Sequence, residues 1–194
     1  MDLHRLGRLP LLTLALLGAG CATQRGTLAG ERPRDVAVVV RSAVQLPAAQ
    51  NVVDDVAGVE SPAGLLAREA QRALQARGYA AAVIGRAEAP QGAQAPGCTG
   101  AEMPVASCNR AAAIAAGAGR DAALLVELER MDLESLRMLG RTEIELQAFL
   151  VDAGGALLWA GEHRGVTRVT TYRAGSDWRA HLRDALDEAL RELP

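Results

Sequence analysis

The sequence predicts an α/β (α+β) fold, with a mixed β-sheet of about five strands and helices packed mainly on one face. Two observations support this prediction. Short apolar runs alternate with stretches of helical period through much of the chain, and three strand patterns then follow one another before a last helix. The resulting order is β-α-β-α-β-β-β-α, which a layered sheet with packed helices satisfies.

The first half of this pattern has clear start and stop signals. Residues 36–40 are a β-branched run bounded by charged residues, as expected for a buried strand. Ser61 and Pro62 open a helix, because Ser caps free amide groups and Pro suits the first helical turn. Gly78 ends that helix as a left-handed residue, and residues 80–84 follow as a second short strand.

The second half begins with a short Ala-rich helix, which Asn109 is expected to cap. Alternating apolar residues then predict three strands, and a tight turn at residues 152–155 joins the last two as a hairpin. The first of these strands is expected to have one buried face and one wetter face. The three strands cover residues 122–130, 142–151 and 157–164.

The last helix follows Ser176 and Asp177, which are placed to cap it. Its apolar positions form a single stripe, and its opposite face is charged. We expect this stripe to pack on the chain's own sheet; the alternative is a helix that contacts a partner or a membrane. The stripe consists of Trp178, Leu182, Ala185, Leu186, Ala189 and Leu193.

The chain starts with a segment typical of export. A basic head, an apolar stretch too short to span a bilayer and a run of small residues lead directly to Cys21. This order resembles a bacterial lipoprotein signal, which implies that residues 1–20 are removed and that Cys21 carries the lipid, with acyl chains such as palmitate. The alternative is an ordinary secretory signal that ends beside a cysteine.

Residues 21–34 lack apolar periodicity and are expected to form a flexible tether, with a mean reach of roughly 20 Å from the lipid. Residues 35–194 are expected to form a single periplasmic α/β domain. Ala22, rather than Asp, follows the predicted lipidated cysteine. In a Gram-negative source this favours the outer membrane, with the protein facing the periplasm.

The charge of the chain argues against one class of partner. It carries 21 basic and 23 acidic residues, and it has no basic cluster of the kind that nucleic-acid binding requires. Every basic residue is Arg, which would suit anion recognition, but scattered arginines are better explained by compositional bias. We therefore expect no nucleic-acid partner, and contact with the membrane through the lipid.

Two further cysteines, Cys98 and Cys108, are expected to form a disulfide. Export places them in an oxidising compartment, and closing this loop stabilises a fold by roughly 2–3 kcal/mol. The alternative is a catalytic dithiol. Such a pair usually has a closer spacing, such as C-x-x-C, so we expect a structural role.

Several segments together resemble a known group. They are the helix end at residues 77–79, the strand start Asp-Ala-Ala-Leu-Leu-Val-Glu-Leu at 121–128, and the hairpin at 150–161. These features are similar to small α/β envelope lipoproteins related to the curli-secretion lipoprotein and to the N-terminal domain of the Tol translocation protein. The resemblance covers about residues 35–194 and implies the fold and an interaction-type role, without a catalytic site.

The remaining histidines do not form a recognisable metal motif. His163 follows Glu162, and either Asp177 or His181 would have to join them to hold a metal such as zinc. Because no H-E-x-x-H spacing is present, we expect surface or interface histidines. Nucleophile and phosphate-loop motifs are also absent from the sequence around Ser61, Ser107, Gly117 and Gly119.

Four glutamates recur with strand period on neighbouring strands. Paired carboxylates can perform acid–base chemistry when burial separates their pKa values, but such a pattern more often marks a solvated sheet face. A further hypothesis is an acidic docking surface flanked by Arg130, Arg137 and Arg141. The glutamates are Glu127, Glu129, Glu143 and Glu145.

The sequence therefore predicts a non-enzymatic, lipid-anchored periplasmic protein that acts as an interaction or assembly module of the cell envelope. No catalytic, cofactor-binding or metal-binding residues are expected. One alternative is a periplasmic small-ligand or metal-binding protein, or an enzyme, that uses loops 45–60 and 85–108. Another is a structural lipoprotein that associates with itself.

Overall fold

The computed structural model describes residues 30–44, 61–84, 95–100, 103–168 and 177–194. These residues form one sheet and four helices. The elements are β1 (Asp35–Ser42), α1 (Pro62–Ala76), β2 (Ala80–Val83), α2 (Val105–Gly117), β3 (Ala122–Met131), α3 (Leu133–Leu139), β4 (Arg141–Asp152), β5 (Leu157–Arg168) and α4 (Trp178–Ala189).

The sheet is mixed, with the strand order β2-β1-β3-β4-β5. Strand β1, which lies between β2 and β3, is parallel to both of them. From β3 onward the pairing is antiparallel, and β4 and β5 form a long hairpin. The predicted fold class and the order of strands and long helices are confirmed, and the short helix α3 is an addition to them.

Helix α1 begins and ends with the signals that its sequence contains. The Ser61 hydroxyl oxygen accepts a hydrogen bond from the Gly64 amide at 3.0 Å, and Pro62 occupies the first turn. At the other end Gly78 has φ of +87°, a conformation that suits glycine. Local residues alone therefore fix both boundaries of this helix.

Helix α2 begins four residues before the predicted cap. Pro104 precedes its first residue, and Asn109 lies within the helix, so the prediction that Asn109 caps it is wrong. The Asn109 side-chain oxygen instead accepts a hydrogen bond from the Ala95 amide at 2.8 Å. This asparagine therefore fastens the segment before the helix to the helix itself.

Helix α3 connects β3 to β4 and was not predicted. Asp132 caps it, with its carboxylate accepting a hydrogen bond from the Ser135 amide at 3.0 Å, and Gly140 ends it at φ of +62°. The Ser135 side chain and amide lower the pKa of Asp132. Leu136 is the buried residue that holds this short helix against the sheet.

The two faces of the sheet carry separate cores. Helices α1 and α4 cover one face, where residues such as Leu66 and Leu186 pack on Leu124 and Leu146 in the larger core. Helix α2 covers part of the opposite face and forms the smaller core with Leu125 and Phe149, among others. Most helices therefore lie on one face, as predicted.

Because α2 covers Leu125, the prediction of a wetter face for β3 is wrong over residues 122–128, all of which are buried. The strand becomes exposed only at Glu129 and Arg130. A strand covered on both faces has a nearly continuous apolar sequence, which explains the run of residues 122–126.

The carboxyl ends of α1 and α4 are joined by one arginine. The Arg77 guanidinium donates to the carbonyl oxygens of Leu193 and Leu190, each at 2.9 Å, and to that of Ala73 at 3.0 Å. Carbonyl groups at a helix end lack partners within the helix, and a cation there also favours the helix dipole.

Candidate functional site

The half of the sheet that α2 leaves uncovered presents a polar surface, which we call the open face. On β4, Ile144 and Leu146 point into the larger core, so their neighbours Glu143 and Glu145 point to the opposite side. Residues paired with them in antiparallel register share that side. The open face comprises Arg130, Glu143, Glu145, Gln147, Glu162, Arg164 and Val166.

Charges of both signs alternate across the open face. The Arg130 guanidinium lies 3.5 Å from a carboxylate oxygen of Glu143 and 3.7 Å from one of Glu145, and Arg164 lies 3.6 Å from Glu162. The side chains of Arg130 and Arg164 are more than half exposed. Solvent screens such pairs, so each contributes about 0–1 kcal/mol to folding.

The four predicted glutamates do not form one acidic cluster. Glu127 is buried beside α2, where it accepts a hydrogen bond from Arg41 at 2.7 Å and one from the Ser107 hydroxyl at 3.0 Å. Glu129 lies where the register between β3 and β4 shifts. Among the described residues, only Glu143 and Glu145 share a partner, Arg130, so the four carboxylates do not form a paired site. The expectation that all four lie on a solvated sheet face is wrong for the buried Glu127.

One of the three flanking arginines lies apart. Arg130 lies among the glutamates, and Arg141, two residues before Glu143 on β4, is on the same side of the sheet, whereas Arg137 is on α3. The open face is thus a mixed-charge surface rather than an acidic one.

A cavity of about 550 Å³ lies at the opposite edge of the sheet from β5, at the carboxyl ends of β1 and β2. The first turns of α1 and the middle of α2 form its walls. Most of the described residues that line it are apolar or small, and two are arginines, Arg41 and Arg110. The others include Val39, Ala63, Gly64, Ala67, Ile84 and Ile114.

Arg110 is the more unusual of the two arginines. Its Nη1 atom is buried and has no hydrogen-bond partner among the described residues. Arg41, by contrast, is paired with Glu127. A buried cationic donor is normally paired with an acceptor, so Arg110 stands out among the described residues that line the cavity.

The histidines lie in and beside the larger core. His181 is fully buried and its Nδ1 atom lies 2.8 Å from the Thr167 hydroxyl oxygen, so the prediction of a surface or interface position is wrong for it. Burial lowers the pKa of His163. Among the described residues, no three His, Cys, Asp or Glu side chains are grouped closely enough to hold a metal ion.

Cys98 and Cys108 form a disulfide, with 5.7 Å between their Cα atoms. Both are buried in the smaller core, and the Cys108 sulfur lies 3.3 Å from the carbonyl oxygen of Gly155 in the turn between β4 and β5. The Gly97 amide also donates to the Gly154 carbonyl at 3.1 Å. The disulfide therefore holds its loop against the hairpin turn, which is a structural role.

Several predictions lie outside the described residues. These are the signal at 1–20, lipidation at Cys21, residues 21–29 of the tether, loop 45–60, residues 85–94 and 101–102 of the second loop, and the capping role of Ser176. Within the described part of the chain, none of the helices combines the length and apolar character needed to cross a bilayer.

Sequence reasoning missed Arg41 and Arg110. The available signal was a single arginine within the Ala-rich run at 105–117, where a solitary charge among small residues needs a partner or solvent. The partner of Arg41 is Glu127, which lies 86 residues further along the chain, so the residues around Arg41 could not predict this pairing.

These elements define a class by architecture, a mixed five-stranded sheet with helices on both faces. No family model matches the chain, and no curated protein matches it. Among solved structures it is similar to the PelC dodecamer from Paraburkholderia phytofirmans, at 14% identity and a TM-score of 0.51, over 89% of this chain and 98% of that one. At this identity the likeness shows the fold alone.

Two other solved structures are more distant. Lipoprotein GNA1162 from Neisseria meningitidis is 16% identical over 74% of this chain and 90% of its own, with a TM-score of 0.34. The LpoB C-terminal domain from Salmonella enterica is 15% identical over 73% and 88%, with a TM-score of 0.29. Such scores carry no argument, and the family suggested by the sequence stays a prediction.

Proposed function

We propose that the protein is a lipid-anchored periplasmic protein that acts as a non-catalytic interaction or assembly module of the cell envelope. The lipoprotein-type signal and Cys21 support the anchor, and residues 21–34 would tether the domain at 35–194 close to a membrane. The open face supports the interaction role and is the observation on which this proposal chiefly rests.

The argument from the open face is energetic. Its ion pairs are exposed and add little to folding, so the alternating charges are not needed to hold the sheet together. Across an interface, alternating charges select a partner of complementary pattern and speed its association. Val166, which is 53% exposed beside Glu143 in register, adds an apolar contact to this surface.

Removing the negative charges of the open face tests this role. We expect the double variant Glu143→Gln/Glu145→Gln to lose most of the envelope partner that cross-linking in intact cells captures with the wild-type protein. The matched control is Glu134→Gln/Glu192→Gln, which neutralises two exposed glutamates elsewhere and should capture the partner normally. Equal capture by both double variants would reject the open face as the docking surface.

Self-association is a second candidate, and a specific observation favours it. Strand β5 has 12 residues and lies at the edge of the sheet, and no described strand pairs with its outer side. An unpaired edge of this length is a template for another strand. The similar PelC structure is a dodecamer, which supports testing whether this chain also assembles with copies of itself.

A charge beside that edge distinguishes the two candidates. If copies pair through β5, the wild-type mass measured by light scattering should rise with concentration, and Val166→Lys should lower it, since charged side chains oppose edge pairing. Met138→Lys is the control, because Met138 is 77% exposed on α3 and is not part of the β5 edge. A constant monomeric mass for all three proteins would reject self-association.

A further inference from the structure

The cavity at the carboxyl ends of β1 and β2 lies at a special point in the topology. These strands are adjacent and parallel, and the next described helix after each packs on a different face of the sheet: α1 on the larger core and α2 on the smaller one. Adjacent parallel strands whose connections leave to opposite faces create a crevice at their carboxyl ends. In open α/β sheets that crevice is where ligands bind.

The size and lining of the cavity fit a small organic molecule. Its volume of about 550 Å³ is in the range typical of ligand sites and much larger than a single water requires. Val39, Ile84, Ala67 and Ile114 provide apolar walls. Such walls favour a ligand with an apolar body over a bare inorganic ion.

The electrostatics select an anion. Arg110 and Arg41 line the cavity, and none of its described lining residues is acidic. Arg41 is already engaged by Glu127, whereas the buried Nη1 atom of Arg110 has no partner among the described residues. The first turn of α1, with Ala63 and Gly64 in the wall, adds the positive end of a 15-residue helix.

We propose that this cavity binds a small organic anion, whose phosphate or carboxylate group pairs with the Arg110 guanidinium while its apolar part lies between α1 and α2. Guanidinium groups bind both oxyanions through paired N–H donors. The site is separate from the open face and does not depend on the interaction proposed there. It gives the protein a ligand in addition to a protein partner.

The test uses the exported protein purified in detergent and two probes, butyl phosphate and pentanoate, with pentanamide as the uncharged comparison. Calorimetric titration should detect at least one of the two anions and no pentanamide. Tighter binding of butyl phosphate would assign a phosphate ligand, and tighter binding of pentanoate a carboxylate ligand. Binding of neither anion, or equal binding of pentanamide, would overturn the proposal.

Variants locate the binding. Arg110→Gln should weaken it at least about tenfold, whereas Arg137→Gln, the same change on an exposed arginine of α3, should leave it unaltered. Ala63→Leu keeps the charge but fills the cavity, and should also weaken binding. Circular dichroism checks that each variant is folded. If Arg110→Gln does not fold, Ala63→Leu still tests the proposal. Wild-type affinity in a folded Arg110→Gln or Ala63→Leu protein would place the anion elsewhere and overturn the proposal.

Discussion

Reducing the disulfide between Cys98 and Cys108 isolates the contribution of one cross-link to stability. The bond closes a loop with a sequence separation of 10 residues. In the chain-entropy relation, breaking this cross-link gives the unfolded chain more conformational entropy. The free energy of unfolding should therefore fall by about 2.7 kcal/mol at room temperature. Reduction leaves the same side chains in the smaller core, so the difference reports the cross-link itself.

The assay is urea unfolding of the chain from residue 22 onwards, with and without a reductant. With a urea dependence of about 2 kcal/mol per molar, the midpoint should fall by about 1.3 M on reduction. The double variant Cys98→Ala/Cys108→Ala is the control and should not respond to the reductant. An unchanged midpoint for the wild-type chain would refute the argument that this loop is held by its disulfide.

Three further predictions concern packing, helix ends and charge. In Gly161→Ala the new methyl group would collide with the carbonyl oxygen of Ala189 at the end of α4, so the free energy of unfolding should fall by about 1–3 kcal/mol or more in urea titrations; wild-type stability would contradict this close approach. Arg77→Lys keeps the charge but loses the branched guanidinium that donates to the carbonyl oxygens at two helix ends, so the free energy of unfolding should fall by about 1.5–3 kcal/mol in the same titrations. A decrease of less than about 0.5 kcal/mol would show that the charge alone is sufficient. Partial desolvation and the nearby carboxylates of Glu69 and Asp184 raise the pKa of Asp187. The native state therefore holds this proton more tightly than the unfolded chain, and the ionised group costs stability at neutral pH. Asp187→Asn should therefore raise the melting temperature near pH 7 but not below about pH 3.8, whereas Glu192→Gln should change neither; an equal effect at both pH values would contradict the assignment.

The parts of the fold that local chemistry decides were predictable. Ser61, Pro62 and Gly78 mark the ends of α1 by their own backbone preferences, and the alternation along β4 follows from one covered and one open side. The turn after Asp152 also has its own explanation, because the carboxylate accepts hydrogen bonds from the amides of Gly154 and Ala156.

The errors arose where a distant segment decides the outcome. Asn109 is a residue type that often caps helices, but its side-chain oxygen accepts a hydrogen bond from the Ala95 amide instead. An Ala-rich helix also has no apolar stripe from which its first residue can be predicted. Glu127 follows the same strand period as the other glutamates, but in the folded chain its carboxylate is buried and accepts hydrogen bonds from Arg41 and Ser107.

The same reasoning explains what was missed at the cavity. It exists because α1 and α2 pack on opposite faces of the sheet, and no local pattern contains that information. Helix α3 was missed for a different reason. With seven residues it is too short to show a helical period, although Asp132 and Gly140 mark its ends.

The central claim is that the protein works as a membrane-tethered interaction module, and cross-linking in intact cells with the wild-type protein and Cys21→Ala tests it most directly. The account predicts that the wild-type protein is found in the membrane fraction and captures a defined envelope complex, and that Cys21→Ala is released from the membrane and loses the complex. Equal membrane association and equal capture by both proteins would contradict it, because the lipid at Cys21 would then not position the protein.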